Sequence, residues 1–261
     1  MPVPGPLLIH LPHSSVYISD TDRKDILLSD PELQTELLAL TDSYTDELFD
    51  YPDAVIHKNG NSRIVMDPER FRNDEDEAMS KLGLGAVYTR SVSGRVIKEL
   101  TEDRREELKK KYYDPYHEAL EKKTRRILDE YGRCLIIDGH SFAGKPLPFE
   151  SDKNPDRPDI CIGTCDYHTP EKLAALMEDY IATNGMSVRR NAPFSGTMVP
   201  MGYYYRDRRV SSVMIEVNRR VYMNEATGEK LPDFEAAREF ILGLVGGASN
   251  VFTAGLFRRR V

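Results

Sequence analysis

The chain has 261 residues, and 36 Lys plus Arg against 43 Asp plus Glu give it a formal net charge of -7. Hydrophobic residues make up 40% of the chain, which is enough to bury a core and excludes an intrinsically disordered protein. The acidic balance argues against a general nucleic-acid-binding protein, because such proteins carry a positively charged surface. We expect the short basic run at residues 258–260 to be solvated.

The length suits one domain spanning residues 1–261. No window approaches the roughly 20 apolar residues that span a bilayer, and the N-terminus lacks the pattern of a signal peptide. We therefore expect a soluble, cytoplasmic protein without a membrane partner, whose oligomeric state stays open. Three cysteines, Cys134, Cys161 and Cys165, leave one unpaired in any disulfide scheme, so we expect buried thiols.

Strand-like and helix-like patterns alternate along the chain. The first half predicts, in order, a strand at residues 7–11, a helix from Asp30 through about Phe49, and strands at 54–56 and 64–66. The second half predicts a charged helix at 101–130 that Pro115 divides, strands at 134–138 and 159–163, a helix from about Thr169 to 183, a strand at 210–217 and a helix from Asp233. This alternation predicts a single-domain α/β fold with a mostly parallel, mixed sheet flanked by helices.

Ligands of open α/β sheets bind at the carboxyl ends of the strands, so the polar residues there are the first candidates for a site. They are His13, Arg63, Asp67, Asp138, His140, Glu216 and Asn218.

His13 and His140 stand in equivalent settings, each just past a predicted buried strand. A catalytic zinc site takes three protein ligands and leaves a fourth position for water, so the third ligand must be a carboxylate or another histidine. Asp42 and Asp46 are four residues apart and would share one face of the predicted helix. We favour Asp46 as the third ligand.

Glu216 lies in the apolar strand VMIEVNRR, where a buried carboxylate needs a partner or a raised pKa. That environment suits a general base that deprotonates a metal-activated water. The alternative is a plain ion pair with Arg219 or Arg220.

Ser141 motivates a rival hypothesis, because GHSFA is one residue short of the G-x-S-x-G elbow of serine hydrolases. The elbow must lead into a helix, but Gly144, Pro146 and Pro148 follow closely. The only histidine after Ser141 is His168, which does not fit the required order of the triad.

Six motifs together resemble the N-formylglutamate amidohydrolase family. They are PHSS at 12–15, TDSYTDELF at 41–49, SRIVMDPERF at 62–71, IIDGHSF at 136–142, NAPFSG at 191–196 and IEVNRRVYM at 215–223. The resemblance implies a zinc carboxypeptidase-like fold, related to aspartoacylase and succinylglutamate desuccinylase. It also implies hydrolysis of a small N-acyl amino acid with zinc or another divalent metal.

By this resemblance His13 and His140 are metal ligands and Glu216 is the general base. The carboxylate ligand comes from TDSYTDELF, with Asp46 favoured over Asp42 and Glu47.

The resemblance also implies substrate contacts. Arg63 would stabilise the oxyanion and Arg70 would clamp the α-carboxylate. A second cation for a side-chain carboxylate would be Arg219 or Arg90, and the pocket wall would include Asn191, Ser195 and Gly196. Glu69 stands where the acylase relatives have Asn, which motivates a second hypothesis: a catalytically diverged member that acts as a binding protein.

Overall fold

One six-stranded sheet organises the fold in a computed structural model that describes residues 4–255; the basic run at 258–260 lies outside them. The spatial order of the strands is β2-β1-β3-β6-β4-β5. Their bounds are β1 Leu7–Leu11, β2 Val55–Lys58, β3 Cys134–Phe142, β4 Ile160–Gly163, β5 Val188–Arg190 and β6 Val210–Asn218.

Only the pairing of β4 with β6 is antiparallel; the other strand pairs are parallel. This confirms the predicted α/β class with a mostly parallel, mixed sheet. Because β1, β3 and β6 lie side by side and run the same way, their carboxyl ends meet at one edge. The likeness to zinc carboxypeptidases stays a prediction.

Seven α-helices surround the sheet within residues 4–255. They are α1 Asp20–Arg23, α2 Asp30–Leu40, α3 Thr45–Leu48, α4 Glu102–Leu108, α5 Asp114–Tyr131, α6 Glu171–Thr183 and α7 Phe234–Thr253. The predicted division near Pro115 is confirmed, since a π-helical turn, Lys109–Tyr113, separates α4 from α5. Gly132 ends α5 with a φ of 69°, a left-handed conformation that glycine adopts without strain.

The two faces of the sheet have different chemistry because side chains alternate along each strand. One face is apolar and packs on α3, α6 and α7; from β3 it presents Leu135 and Ile137. The other face packs on α5 through residues such as Leu8 and Ile136. Towards the carboxyl ends this second face turns polar and carries His10, Asp138, His140 and Glu216. The second face is called the site face below.

Several predicted element bounds were wrong. The helix expected from Asp30 to Phe49 is broken between α2 and α3, where Thr41 is extended and Tyr44 has a left-handed φ of 64°. The strand expected at 64–66 is a buried turn, with Val65 N bonded to Ser62 O at 2.9 Å. Its apolar residues are buried under loops instead of pairing in the sheet.

Other elements differ in extent. Strand β3 continues to Phe142, so His140 lies within it and not after it. Helix α6 begins at Glu171 with Pro170 as its N-cap, while the Thr169 hydroxyl donates to Ser212 O. The short elements α1 and β5 were not predicted.

The three cysteines are free and buried, as predicted. No helix within residues 4–255 combines the length and the apolar character needed to cross a membrane.

Candidate functional site

His13 leaves the sheet just after β1 and turns into a buried position. Its Nε2 lies 2.8 Å from Asp67 Oδ1, and the backbone N–H of Asp42 donates to its carbonyl at 3.0 Å. Its Nδ1 is buried with no hydrogen-bond partner among the described residues. An unpartnered buried nitrogen is costly, which marks this atom as one that needs a ligand.

Asp42 reaches the histidines because of the break between α2 and α3. Its Oδ2 lies 3.1 Å from His140 Nδ1 and 3.6 Å from His13 Nδ1. One ligand atom from each of these three residues lies within 4.8 Å of the others. The set offers two nitrogens and one oxygen, a donor set typical of an open zinc site.

Asp46 is not brought to this group. Its Oδ2 pairs with Lys58 Nζ at 3.0 Å, and the side chain is 36% exposed. Glu47 likewise turns outward and accepts from Lys230 Nζ at 2.6 Å. The expectation that Asp42 and Asp46 share a helical face was wrong, because the chain reverses at Tyr44 and the four-residue spacing loses its helical meaning.

Each of the two histidines contacts a buried carboxylate through one ring nitrogen. His13 contacts Asp67, and His140 Nε2 lies 3.0 Å from Asp138 Oδ1. Burial by itself would raise the pKa of Asp67, but the Arg63 guanidinium and His13 outweigh it and hold that pKa well below its usual range. Such outer carboxylates fix the tautomer and orientation of metal-binding histidines.

The Asp67 carboxylate accepts several hydrogen bonds from the loop between β2 and α4. Arg63 Nη2 and the Tyr88 hydroxyl each donate to its Oδ2 at 2.7 Å, and the backbone N–H of Glu69 donates to Oδ1 at 3.0 Å. This carboxylate therefore ties the loop to His13.

Glu216 is paired in register with His140 on the site face. Its Oε2 is buried and has no hydrogen-bond partner among the described residues. Burial, opposed by the nearby His140, raises the pKa of Glu216 to about 8. A carboxylate in this state can accept and release a proton near neutral pH.

Glu69 is the solvent-facing acid of the group, with a side chain 18% exposed. Both of its carboxylate oxygens lie 3.2 Å from His140 Nε2, and Oε2 lies 3.8 Å from His13 Nδ1. The residue that departs from the acylase motif therefore lies beside the histidines.

Two of the candidate arginines lie beside Asp67. Arg63 makes two hydrogen bonds to Oδ2, whereas Arg70 keeps a longer 3.7 Å contact. The Nε of Arg70 is buried without a hydrogen-bond partner in the described part of the chain. Arg70 is thus the less committed of the two.

The other two arginines are engaged elsewhere. The Arg219 guanidinium is buried and donates to Asp42 Oδ1 and Ser141 Oγ, each at 3.2 Å. It therefore helps to hold the carboxylate of Asp42, a candidate ligand, in position. Arg90 donates to Gly94 O at 2.7 Å in a surface turn.

The loop at residues 191–196 packs against β4. Asn191 has a φ of 54°, and its Oδ1 accepts from Thr164 N at 2.8 Å. A methyl group at Gly163 would run into the carbonyl of Gly196, so this approach requires glycine. Ser195 is exposed on the loop. Because the register places β4 beside Glu216, the loop borders the site face.

Ser141 lies inside β3, followed by Phe142 of the same strand, and not on a strand-to-helix turn. The elbow that a serine hydrolase needs is therefore missing at this position.

Sequence reasoning missed His10 and Tyr116, which lie behind Asp138. The available signal was a polar residue at the fourth position of the otherwise apolar LLIHL strand.

Comparisons with known proteins agree on one family. The family model of N-formylglutamate amidohydrolase matches residues 5–223. An N-formylglutamate deformylase of Pseudomonas putida is 25% identical over 233 residues, covering 84% of this chain and 82% of that protein. The Pseudomonas aeruginosa protein of the same name is 26% identical over 237 residues, covering 84% and 83%.

Two solved structures share the fold. An N-formylglutamate amidohydrolase from Ralstonia eutropha JMP134 superposes with a TM-score of 0.84 at 22% identity, covering 96% of this chain and 95% of that one. A gene product of Agrobacterium tumefaciens gives 0.66 at 21% identity, with 95% and 92% covered. The fold is therefore shared along nearly the whole length.

Proposed function

This chain belongs to the N-formylglutamate amidohydrolase family, and we propose that it hydrolyses the amide bond of an N-formyl amino acid such as N-formylglutamate with the help of a divalent metal. The observation that carries the metal proposal is the buried Nδ1 of His13, which has no hydrogen-bond partner within residues 4–255 and faces Asp42 and His140.

His13, Asp42 and His140 are the residues that would hold the metal, most simply zinc. When bound, such a cation polarises a carbonyl group and makes water more acidic. The family resemblance alone favoured Asp46, and we now propose Asp42 because its carboxylate lies against both histidines.

Glu216 is the proposed general base. Its Oε2 would take the proton of the attacking water and then deliver it to the leaving amine nitrogen. The raised pKa supports this role, because the group must change its protonation state twice in each cycle.

Arg63 and Arg70 are the proposed substrate contacts. Arg63 would hydrogen-bond the carbonyl oxygen as negative charge develops on it. Arg70 would bind the α-carboxylate, since its guanidinium has donors to spare. Arg219 is already paired with Asp42, so we assign it to support of the ligand and no longer to the substrate.

The direct test is metal analysis of purified protein together with a screen of N-formyl and other N-acyl amino acids. We expect one tightly bound divalent ion per chain and hydrolysis of an N-formyl substrate. The His13→Ala, His140→Ala double variant should lose both. Glu216→Gln should keep the metal, and its kcat should fall roughly 10²- to 10⁴-fold.

Two results would point elsewhere. A chain that binds a divalent ion and an N-acyl amino acid without turnover would favour the diverged binding protein, which Glu69 beside the histidines motivates. Activity that resists chelators and disappears in Ser141→Ala would favour serine hydrolysis.

A further inference from the structure

A row of buried hydrogen bonds runs along the site face, away from the candidate metal ligands. The Tyr116 hydroxyl lies 2.6 Å from His10 Nε2, and His10 Nδ1 lies 2.7 Å from Asp138 Oδ1. The same oxygen of Asp138 lies 3.0 Å from His140 Nε2. Three of these residues are at most 3% exposed and Tyr116 is 8% exposed, so water does not compete with the contacts.

We propose that His10 is a positioning residue that acts through Asp138 to hold His140 in the tautomer and orientation needed to bind the metal. This inference rests on the metal site proposed above.

The hydrogen-bond inventory fixes the direction of each bond. An ionised carboxylate only accepts, so His10 must donate from Nδ1 and His140 must donate from Nε2. His10 Nε2 is then an acceptor for the Tyr116 hydroxyl. By the same rule His140 Nδ1 donates to Asp42 Oδ2 at 3.1 Å. Because Nε2 keeps its proton for Asp138, Nδ1 is the nitrogen that would give up its proton and offer a lone pair to a metal.

The position of Asp138 matters because His140 Nε2 has a second acceptor within reach, and His10 helps to hold Asp138 in place. Glu69 lies 3.2 Å from the same Nε2 and is partly exposed, so it offers a looser support. Among the described residues three donors hold Asp138 in place: His10, His140 and the backbone N–H of Met198, which donates to Oδ2 at 2.7 Å. Without His10, the described part of the chain would leave Asp138 with two donors, the Met198 amide and His140 itself.

The backbone makes this support rigid. His10 and Asp138 are directly paired in register between β1 and β3. A supporting residue on a central strand holds a ligand more accurately than one on a loop. Outer partners of metal ligands typically contribute 10- to 100-fold to metal affinity.

The test compares two variants of nearly equal size. His10→Asn keeps an amide donor where Nδ1 was and should restore the bond to Asp138. His10→Gln reaches towards Tyr116 and lacks that donor. Zinc affinity, measured by competition with a chromophoric chelator, should fall about 10- to 100-fold in His10→Gln and stay within about threefold of wild type in His10→Asn.

A third variant guards against loss of folding. Tyr116→Phe removes one hydroxyl, frees the tautomer of His10 and should weaken zinc binding about threefold to tenfold. Circular dichroism checks that each variant is folded. If His10→Gln does not fold, Tyr116→Phe with zinc affinity equal to wild type overturns the proposal.

Other results are equally decisive. Equal zinc affinity of the two folded His10 variants overturns the positioning role while leaving the proposed function intact. A wild-type chain that binds no divalent metal overturns both.

Discussion

Asp42 and Asp46 have opposite environments although only three residues separate them. Asp42 is buried against two histidines and an arginine, and Asp46 is partly exposed beside Lys58. Asp42→Asn should therefore abolish tight zinc binding, because the site loses its anionic ligand. Asp46→Asn should leave zinc affinity unchanged and stability within about 1 kcal/mol, as expected for a surface ion pair.

Calorimetric titration of both variants with zinc checks this assignment. Loss of zinc binding in Asp46→Asn with retention in Asp42→Asn would restore the ligand that the family resemblance favoured.

Glu69 places a negative charge on the solvent side of the candidate ligands. A substrate with a second carboxylate is repelled by that charge more than its uncharged amide analogue. The ratio of kcat/KM for N-formylglutamate over N-formylglutamine should therefore rise about threefold to tenfold in Glu69→Gln, the order of one screened charge interaction.

The two substrates have nearly the same shape, so the ratio isolates charge. A ratio that does not move would mean that the side chain of the substrate lies away from Glu69. Glu75→Gln, which removes the same charge at an exposed position of the same loop, serves as the control.

At the scale of elements, the loop between β2 and α4 carries Arg63, Asp67 and Glu69. The side chain of Lys98 stabilises this loop through its backbone. The Lys98 ammonium is buried and donates to the carbonyls of Ile64 and Val65. Burial lowers the pKa of Lys98 to about 7, from 10.5 for an unburied lysine.

The sign of the resulting pH dependence follows from proton binding. Between pH 7 and about 10.5 the unfolded chain keeps this proton and the folded chain has released it, so rising pH favours folding. The contribution is at most about 1.4 kcal/mol per pH unit for one proton. The free energy of unfolding of wild type minus that of Lys98→Met should therefore rise between pH 7 and 9.

Urea unfolding at several pH values measures this difference, in which the titration of other groups cancels. A difference that is flat or falls with pH would mean that Lys98 keeps its proton in the folded chain.

Elements with a clear pattern were predictable from the sequence, and special backbone positions were not. Strands β1 and β6 stand out as apolar runs, and Glu216 stands out because it interrupts one of them. The left-handed turn at Tyr44 leaves no comparable signal, because tyrosine is an unusual residue at positive φ. The proposed third metal ligand, Asp42, depends on that turn, so residue spacing alone favoured Asp46 instead.

At the scale of the whole molecule, a metal that binds only the folded chain should stabilise it. With free zinc at 100 times its Kd, the gain is about 2.7 kcal/mol. For a chain of this length we expect a rise in Tm of about 5–10 °C. Differential scanning calorimetry with zinc and with a chelator measures the shift.

The His13→Ala, His140→Ala double variant should show no such shift, whereas Asp46→Asn should show it in full. An equal shift in the double variant would place the stabilising zinc at another site.

The alternation along β3 has a consequence for how the sheet assembles. One face of β3 is apolar and the other turns polar at its carboxyl end, and a slip of one residue relative to β1 and β6 would exchange the two faces. Asp138 and His140 would then be driven into the packing of α6 and α7, where an unpaired carboxylate is very unfavourable. The residues that prepare the site thus also act against misaligned sheets while the chain folds, before any metal or substrate arrives.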